Sequence, residues 1–222
     1  MLSLKLYLIP GFLTDKTIYL DFLEDERFDC EVLEFIAPQS FEETIESYAI
    51  RLAQSIDDSN PFGLLGTSFG GMLASEISKI KKPQCVVFIS SVKNREEMNP
   101  LMKWDKSTLL LNYVPDIVVK KTIEAGYTVG KKIVPNLKNI DSQEISKMVH
   151  AIDGKLEKWI IKTINNWQGE NTITNFLHLH GDKDHVFPLK HIKDFELIKG
   201  GNHNMILTKS KLIRDKVADF LE

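Results

Sequence analysis

Ser68 lies in Gly66-Thr67-Ser68-Phe69-Gly70, followed by Gly71, and this spacing suits a nucleophile. A hydroxyl that attacks a carbonyl must stand on a sharp turn, where the backbone is strained and the flanking segments come close together. Glycines two positions before and after the serine remove the side chains that would collide there. Residues 62–66 form an apolar run that reads as a buried strand. After the serine, Met72, Ala74, Ile77 and Ile80 recur at helical spacing until Pro83. Strand, turn and helix are the context in which a G-x-S-x-G exposes its serine. The same turn puts the Phe69 amide at a helix N-terminus, where N–H groups stabilise developing negative charge.

A serine hydroxyl is a weak nucleophile and needs a base, most often a histidine oriented by a carboxylate. Of the six histidines, His203 is the best placed, in Gly200-Gly201-Asn202-His203-Asn204 after the last apolar run and before the final helical pattern. Glycines there let a loop carry an imidazole over the sheet edge. Asp184 lies in His180-Gly181-Asp182-Lys183-Asp184-His185-Val186-Phe187-Pro188, directly after the fifth run. Both positions follow the C-terminal ends of strands, where open α/β sheets hold their ligands. The other histidines take plainer readings: His178 packs in the core, His180 is structural, and His150 and His191 lie at the surface. His185, next to the acid, is a competitor for the base. Asp182, Asp184 and His185 cluster in sequence, yet no H-E-x-x-H or similar spacing accompanies them, so no metal is expected. Neither GxxxxGK[ST] nor GxGxxG occurs, and no cofactor is expected.

These residues need a scaffold, and six short apolar runs supply one: residues 4–9, 30–36, 62–66, 85–90, 176–180 and 194–198. Most are rich in Leu, Ile, Val and Phe, as buried parallel strands are. Helical patterns alternate with them. Ser40-Phe41-Glu42-Glu43 has the form of a capping box ahead of Ile45, Tyr48, Ala49 and Leu52. Leu212, Val217, Phe220 and Leu221 mark a last helix. Alternation of this kind predicts an α/β domain, doubly wound around a mostly parallel six-stranded sheet. It breaks between Ser90 and Phe176, a gap of about 85 residues too long for an ordinary crossover. Ile145, Met148, Val149, Ile152, Leu156, Trp159, Ile160 and Ile164 recur there near a 3.6 period, with Asp153-Gly154 dividing them. The expectation is one domain over residues 1–222, with a helical cap inserted at about 96–168. Phe12, Met102, Trp104 and Tyr113 are candidates to line a substrate pocket.

Composition narrows the function classes. The 222 residues carry a net charge of −3 with pI near 6.1, which disfavours a nucleic-acid partner. No apolar stretch reaches the ~18 residues of a membrane span. Cys30 and Cys85 lie in strand-like runs without CxxC spacing and read as small core residues rather than a disulfide framework. The apolar start has no basic region before it and Lys5 interrupts it, so it reads as a first strand and the protein as cytoplasmic. Oligomeric state is not legible.

Taken together, Ile9-Pro10-Gly11-Phe12, Gly66-Thr67-Ser68-Phe69-Gly70-Gly71, the 180–188 segment and Gly201-Asn202-His203 resemble the α/β-hydrolases along nearly the whole chain. The 180–188 segment is similar to that family's H-G-x-x-D-x-x-x-P pattern, which implies Asp184 as triad acid with Asp182 as the alternative. The order Ser, Asp, His is also the family's. The resemblance implies a catalytic triad of Ser68, Asp184 and His203 acting through an acyl-enzyme on a small carboxylic ester or thioester. It implies an oxyanion hole from the amides of Phe69 and Phe12. Family sheets usually begin with two antiparallel strands, whereas the first run here matches the third, so the core looks trimmed. Pro10 stands where many members carry histidine. The fold also hosts C–C hydrolases, lyases and ligand-binding proteins that keep a hydrolase pocket, so fold alone does not choose among these.

Overall fold

The computed structural model describes residues 4–100, 113–119, 121–122, 154–170 and 172–222. Six strands form one parallel sheet: β1 (Lys5–Ile9), β2 (Asp29–Val32), β3 (Phe62–Thr67), β4 (Cys85–Ile89), β5 (Phe176–Lys183) and β6 (Glu196–Asn202). Their spatial order is β2-β1-β3-β4-β5-β6, and every neighbouring pair is parallel. The chain thus starts in the sheet interior, winds outward to β2, returns past β1 and winds the other way. That is a doubly wound sheet, and the reversal lies between β1 and β3.

Two-residue alternation shares the strands between two faces. Leu6, Leu8, Leu65, Val87, Ile89, Leu179 and Ile198 pack with α1 (Leu20–Leu23) and two later helices, α5 (Met205–Thr208) and α6 (Ser210–Leu221). On the other face lie α2 (Ile45–Leu52) and α3 (Phe69–Ile80), which bury Tyr48, Ala49 and Leu52, and Met72, Leu73 and Ile77. The expected runs at 85–90 and 62–66 become β4 and β3 with shifts of a single residue. Cys85 is buried and Cys30 half-buried, and both thiols are free.

Local boundaries depart from expectation where side chains compete with the ladder. The second run stops pairing after Val32 and Leu33, because the Tyr48 hydroxyl takes over both backbone groups of Ile36 at 3.0 and 2.9 Å. The capping box at Ser40 does not form. Thr44 is the N-cap of α2 and accepts from Ser47 N–H at 3.2 Å, while Glu43 accepts from Gln39 N–H at 2.6 Å. Both final strands run further than the hydrophobic pattern shows, through Lys183 and through Asn202. Their alternation stops at polar residues, but the backbone goes on pairing.

Contacts divide the chain into two compact units. One comprises residues 1–36, 44–103 and 167–222 and contains the whole sheet. The other joins residues 37–43 to 104–166. Within it, α4 (Gly154–Asn166) is helical, as its 3.6 period predicts. Trp159 Nε1 donates to Glu43 O at 2.8 Å and Lys162 Nζ to Phe41 O at 2.9 Å, which fasten α4 to the short 37–43 segment. Lys158 pairs with Asp116 and donates to Val114 O. The proposed divider at Asp153 and most of the 96–168 segment lie outside the described residues.

Candidate active site

β3 ends at Thr67 and α3 begins at Phe69, so Ser68 alone makes the turn, at φ 54° and ψ −119°. A non-glycine residue held there costs about 1–3 kcal/mol, so its surroundings must enforce it. They do so through the backbone. Ser68 N–H donates to Ile89 O at 3.0 Å, and Gly71 N–H donates to Ser68 O at 3.0 Å. The Ser91 hydroxyl also donates to Ser68 O, at 2.7 Å. The flanking glycines are needed sterically. A Cβ on Gly66 would stand 2.4 Å from Gly70 O, and one on Gly70 would stand 2.1 Å from Ile9 O.

The elbow therefore rests directly on the end of β1. Tyr19 strengthens this junction: its hydroxyl donates to Ile9 O at 2.8 Å and lies 2.8 Å from Thr67 Oγ1. Past β1, Gly11 runs beside Ser68, and a Cβ on it would come within 3.2 Å of Ser68 Cβ. Thr14 closes a turn onto Gly11 O through both its N–H and its hydroxyl, at 3.2 and 2.9 Å. Leu13 takes φ 62° inside that turn. Phe12 is half-buried, and its amide donates to no acceptor among the described residues.

The other half of the site comes from β5 and β6. Lys183 pairs with Asn202 after an irregularity in the register, and Gly200, at φ 71°, lies within it. His203 follows Asn202 at the very end of β6, so the glycine-rich stretch read as a loop is largely strand. Its Nε2 stands 2.9 Å from Ser68 Oγ and its Nδ1 2.9 Å from Asp184 Oδ2. Ser68 and His203 are half-buried and Asp184 is buried.

The two aspartates divide the work. Asp184 Oδ1 accepts from the N–H groups of Val186 and Phe187, both at 2.9 Å, and Oδ2 faces His203. Asp182 is exposed and accepts from Gly200 N–H at 2.6 Å, which stitches β5 to the irregular part of β6. Burial opposes the charge on Asp184, but the His203 ring and the Phe187 amide outweigh it and hold the carboxyl below its ordinary value. An ionised Asp184 accepts Nδ1–H and leaves Nε2 of a neutral His203 free to accept from the Ser68 hydroxyl. This relay can draw a proton from a serine as it attacks.

Of the other candidates, Tyr113 is 85 % exposed, and Met102 and Trp104 lie outside the described residues. His185 is exposed, and no hydrogen bond from it is found among the described residues, whereas His203 makes the contact to Ser68. Among the described residues, no group of three or more His, Cys, Asp or Glu could hold a metal ion, and no helix is long and apolar enough to cross a membrane. Sequence reasoning passed over Tyr19, Ser91, Lys93 and Glu97. Lys93 and Glu97 look like an ordinary surface i,i+4 pair in sequence, yet both are buried. His178 and His180, read as packing and structure, prove to be part of a polar chain with Lys93.

No protein-family profile matches the chain, and no curated protein matches it. Solved structures do. An epoxide hydrolase from Bacillus megaterium superposes with a TM-score of 0.73 at 12% identity, covering 99% of this chain and 93% of its own. An enol-lactonase from Burkholderia xenovorans LB400 gives 0.72 at 13% identity, covering 99% and 91%. A thioesterase from the prodiginine biosynthetic pathway in Streptomyces coelicolor gives 0.64 at 10% identity, covering 98% and 85%. At such identities the likeness speaks for architecture, and with the parallel six-stranded sheet it establishes that this chain has the α/β-hydrolase fold.

Proposed function

We propose that the protein is a serine hydrolase that cleaves a small carboxylic ester or thioester, with Ser68, His203 and Asp184 as its catalytic triad. The observation that carries this reading is the continuous relay from Ser68 Oγ through both ring nitrogens of His203 to Asp184, with 2.9 Å at each step. Ser68 Oγ attacks the substrate carbonyl as its proton passes to His203 Nε2. Asp184 stabilises the imidazolium that forms. The amides of Phe69 and Phe12 hold the oxyanion. As the intermediate collapses, His203 returns the proton to the departing alkoxide or thiolate. Water then attacks the acyl-enzyme with His203 again as base, and His203 passes that proton to Ser68 Oγ as the acyl–Oγ bond breaks and the carboxylic acid leaves. Esterase, thioesterase and lactonase activities among the proteins of like fold are in keeping with an acyl substrate. Two free thiols suit a reducing cytoplasmic setting.

A fluorophosphonate probe tests the reading before a substrate is known. Wild type should be labelled at Ser68 and the Ser68→Ala variant should remain unmodified. A panel of p-nitrophenyl esters and acyl-CoA thioesters then identifies the leaving group and acyl length. Well-folded Ser68→Ala protein with full esterase activity would rule the mechanism out. Wild type that resists the probe and turns over nothing would point to a ligand-binding protein on the hydrolase fold.

A further inference from the structure

Polar side chains lie buried against the acid loop, where the proposed chemistry makes no direct use of them. Lys93 and Glu97 are each 1% exposed and form an ion pair at 2.7 Å. Lys93 Nζ has three acceptors for its three protons: Glu97 Oε1 at 2.7 Å, His178 Nδ1 at 2.8 Å and Lys193 O at 2.6 Å. His178 Nε2 stands 3.2 Å from His180 Nδ1, and His180 Nε2 stands 2.8 Å from Phe187 O.

With Lys93 an ammonium paired to Glu97, the protons in this chain run one way. Phe187 O is a carbonyl and only accepts, so His180 must carry hydrogen on Nε2. Neutral His180 then has a bare Nδ1, which accepts from His178 Nε2–H. The bare Nδ1 of His178 in turn accepts from Lys93. Starting from the ammonium, which only donates, gives the same assignment. A charged ring, or the other neutral tautomer, would set donor against donor or acceptor against acceptor somewhere along the line.

The far end of the chain touches both catalytic partners. Phe187 N–H donates to Asp184 Oδ1, and the Phe187 ring meets the His203 ring edge-on, with centroids 5.5 Å apart. His180 Nε2 also lies 3.6 Å from Asp184 Oδ2.

We propose that Lys93, His178 and His180 form a one-directional hydrogen-bond chain that fixes Phe187 and, through it, the Asp184–His203 pair, so that all three are positioning residues. The kinetic consequence rests on the serine-hydrolase reading, but the hydrogen-bond order does not. The charged and titratable groups around the two rings are Lys93, Glu97, Asp184, Asp194 and His203. Burial, with the Lys93 charge and the neighbouring His180, pushes His178 well below an ordinary histidine, against the opposing pull of the Ser91 carbonyl. Burial also lowers His180, against the opposing pull of Phe187 O and Asp184. Both rings therefore stay neutral at neutral pH, as the order of bonds requires.

Long-range proton–nitrogen correlations on protein labelled at histidine nitrogen read the tautomers without any turnover. Both His178 and His180 should be neutral with hydrogen on Nε2 at neutral pH, and an Nδ1–H tautomer or a charged ring at either overturns the proposal. His180→Gln keeps an amide donor for Phe187 O, whereas His180→Phe has none. The Phe variant should lose on the order of 10–100-fold in kcat with KM changed by less than about threefold, and the Gln variant should recover most of the loss. The downfield Nδ1–H resonance of His203 should broaden in His180→Phe and persist in His180→Gln. At the other end, Lys93→Met alone would strand a buried carboxylate. The paired Lys93→Met/Glu97→Gln variant avoids this, keeps an amide oxygen for the backbone N–H groups of Lys93 and Lys193, and should broaden the same resonance. Folded His180→Phe protein with wild-type kcat and an unchanged His203 resonance overturns the chain. If the wild type hydrolyses nothing, the enzymatic reading fails, while the tautomers and the His203 resonance still decide this proposal.

Discussion

Around Ser68 the restraints are mostly backbone groups and absent side chains: Ile89 O, Gly71 N–H, and two glycines against which any Cβ would collide, with the Ser91 hydroxyl added. Around Asp184 and His203 they are charges and rings brought from far along the chain. Lys93 reaches His178 across 85 residues, and Ser68 reaches His203 across 135. Ser68 is thus held by strain that the strand–turn–helix and its neighbours β1 and β4 sustain with little help from charge. Asp184 and His203 are set by protonation states, and these depend on burial and on partners. Added volume should break the first region, and altered charge or pH the second.

The largest effect should come from cutting the link between the regions. Ser68→Ala and His203→Ala should each lower kcat by about 10⁴–10⁶, and the double variant should lose little more, because residues that act as a unit are not additive. Steady-state kinetics on the best ester of the panel would check this, and losses that multiply would show that the two residues do not share a step.

Next in size is the contrast between the aspartates. Asp184→Asn should cost about 10³–10⁴ in kcat, since an amide in that place no longer secures the Nδ1–H tautomer of the base. Asp182→Asn keeps an oxygen for Gly200 N–H and should cost less than about tenfold. Equal losses would mean that the β5–β6 stitch matters as much as the acid.

On the nucleophile side, Gly70→Ala drives a Cβ into the Ile9 carbonyl and should destabilise the fold by about 1–3 kcal/mol. The urea midpoint should fall at an unchanged slope. Ser91→Ala removes the donor to Ser68 O and should cost about 1 kcal/mol by the same measurement.

The last test is of pH. His178 and His180 have lowered values in the folded state, so the unfolded chain binds more protons as pH falls through the ordinary histidine value near ~6.5. Their contribution is present above that value. Below it, stability should fall by up to about 1.4 kcal/mol per pH unit for each ring, until the folded-state value is reached. Asp184 adds a loss in the same direction only at acid pH, as its carboxylate protonates. Urea midpoints between pH 5 and 8 read this, and His178→Gln should flatten the slope.

The parts legible in the sequence are those written in contiguous residues. Short apolar runs marked all six strands, because a strand buried on both faces must present apolar side chains whatever lies beside it. The 3.6 period marked α3, α4 and α6 for the same reason. Gly66, Ser68 and Gly70 declared the turn because their spacing is contiguous, although what crowds Gly70 is the end of β1. The first errors came at Ile36 and Ser40, where Tyr48 and Thr44 took bonds that local pattern had given to others.

The family pattern favoured Asp184 over Asp182 without giving the physical reason, which lies in the tertiary structure. Two positions apart in sequence, they are equally able to accept a hydrogen bond. What separates them is that the chain leaves the strand after Lys183, turning one carboxylate under the His203 ring and leaving the other beside Gly200. The Lys93–His178–His180 chain was hidden for a further reason. A lysine, a glutamate and two histidines cost little in water and much in a core, so their meaning depends on burial and mutual contact. Those arise only when β4, β5 and the 93–97 segment come together.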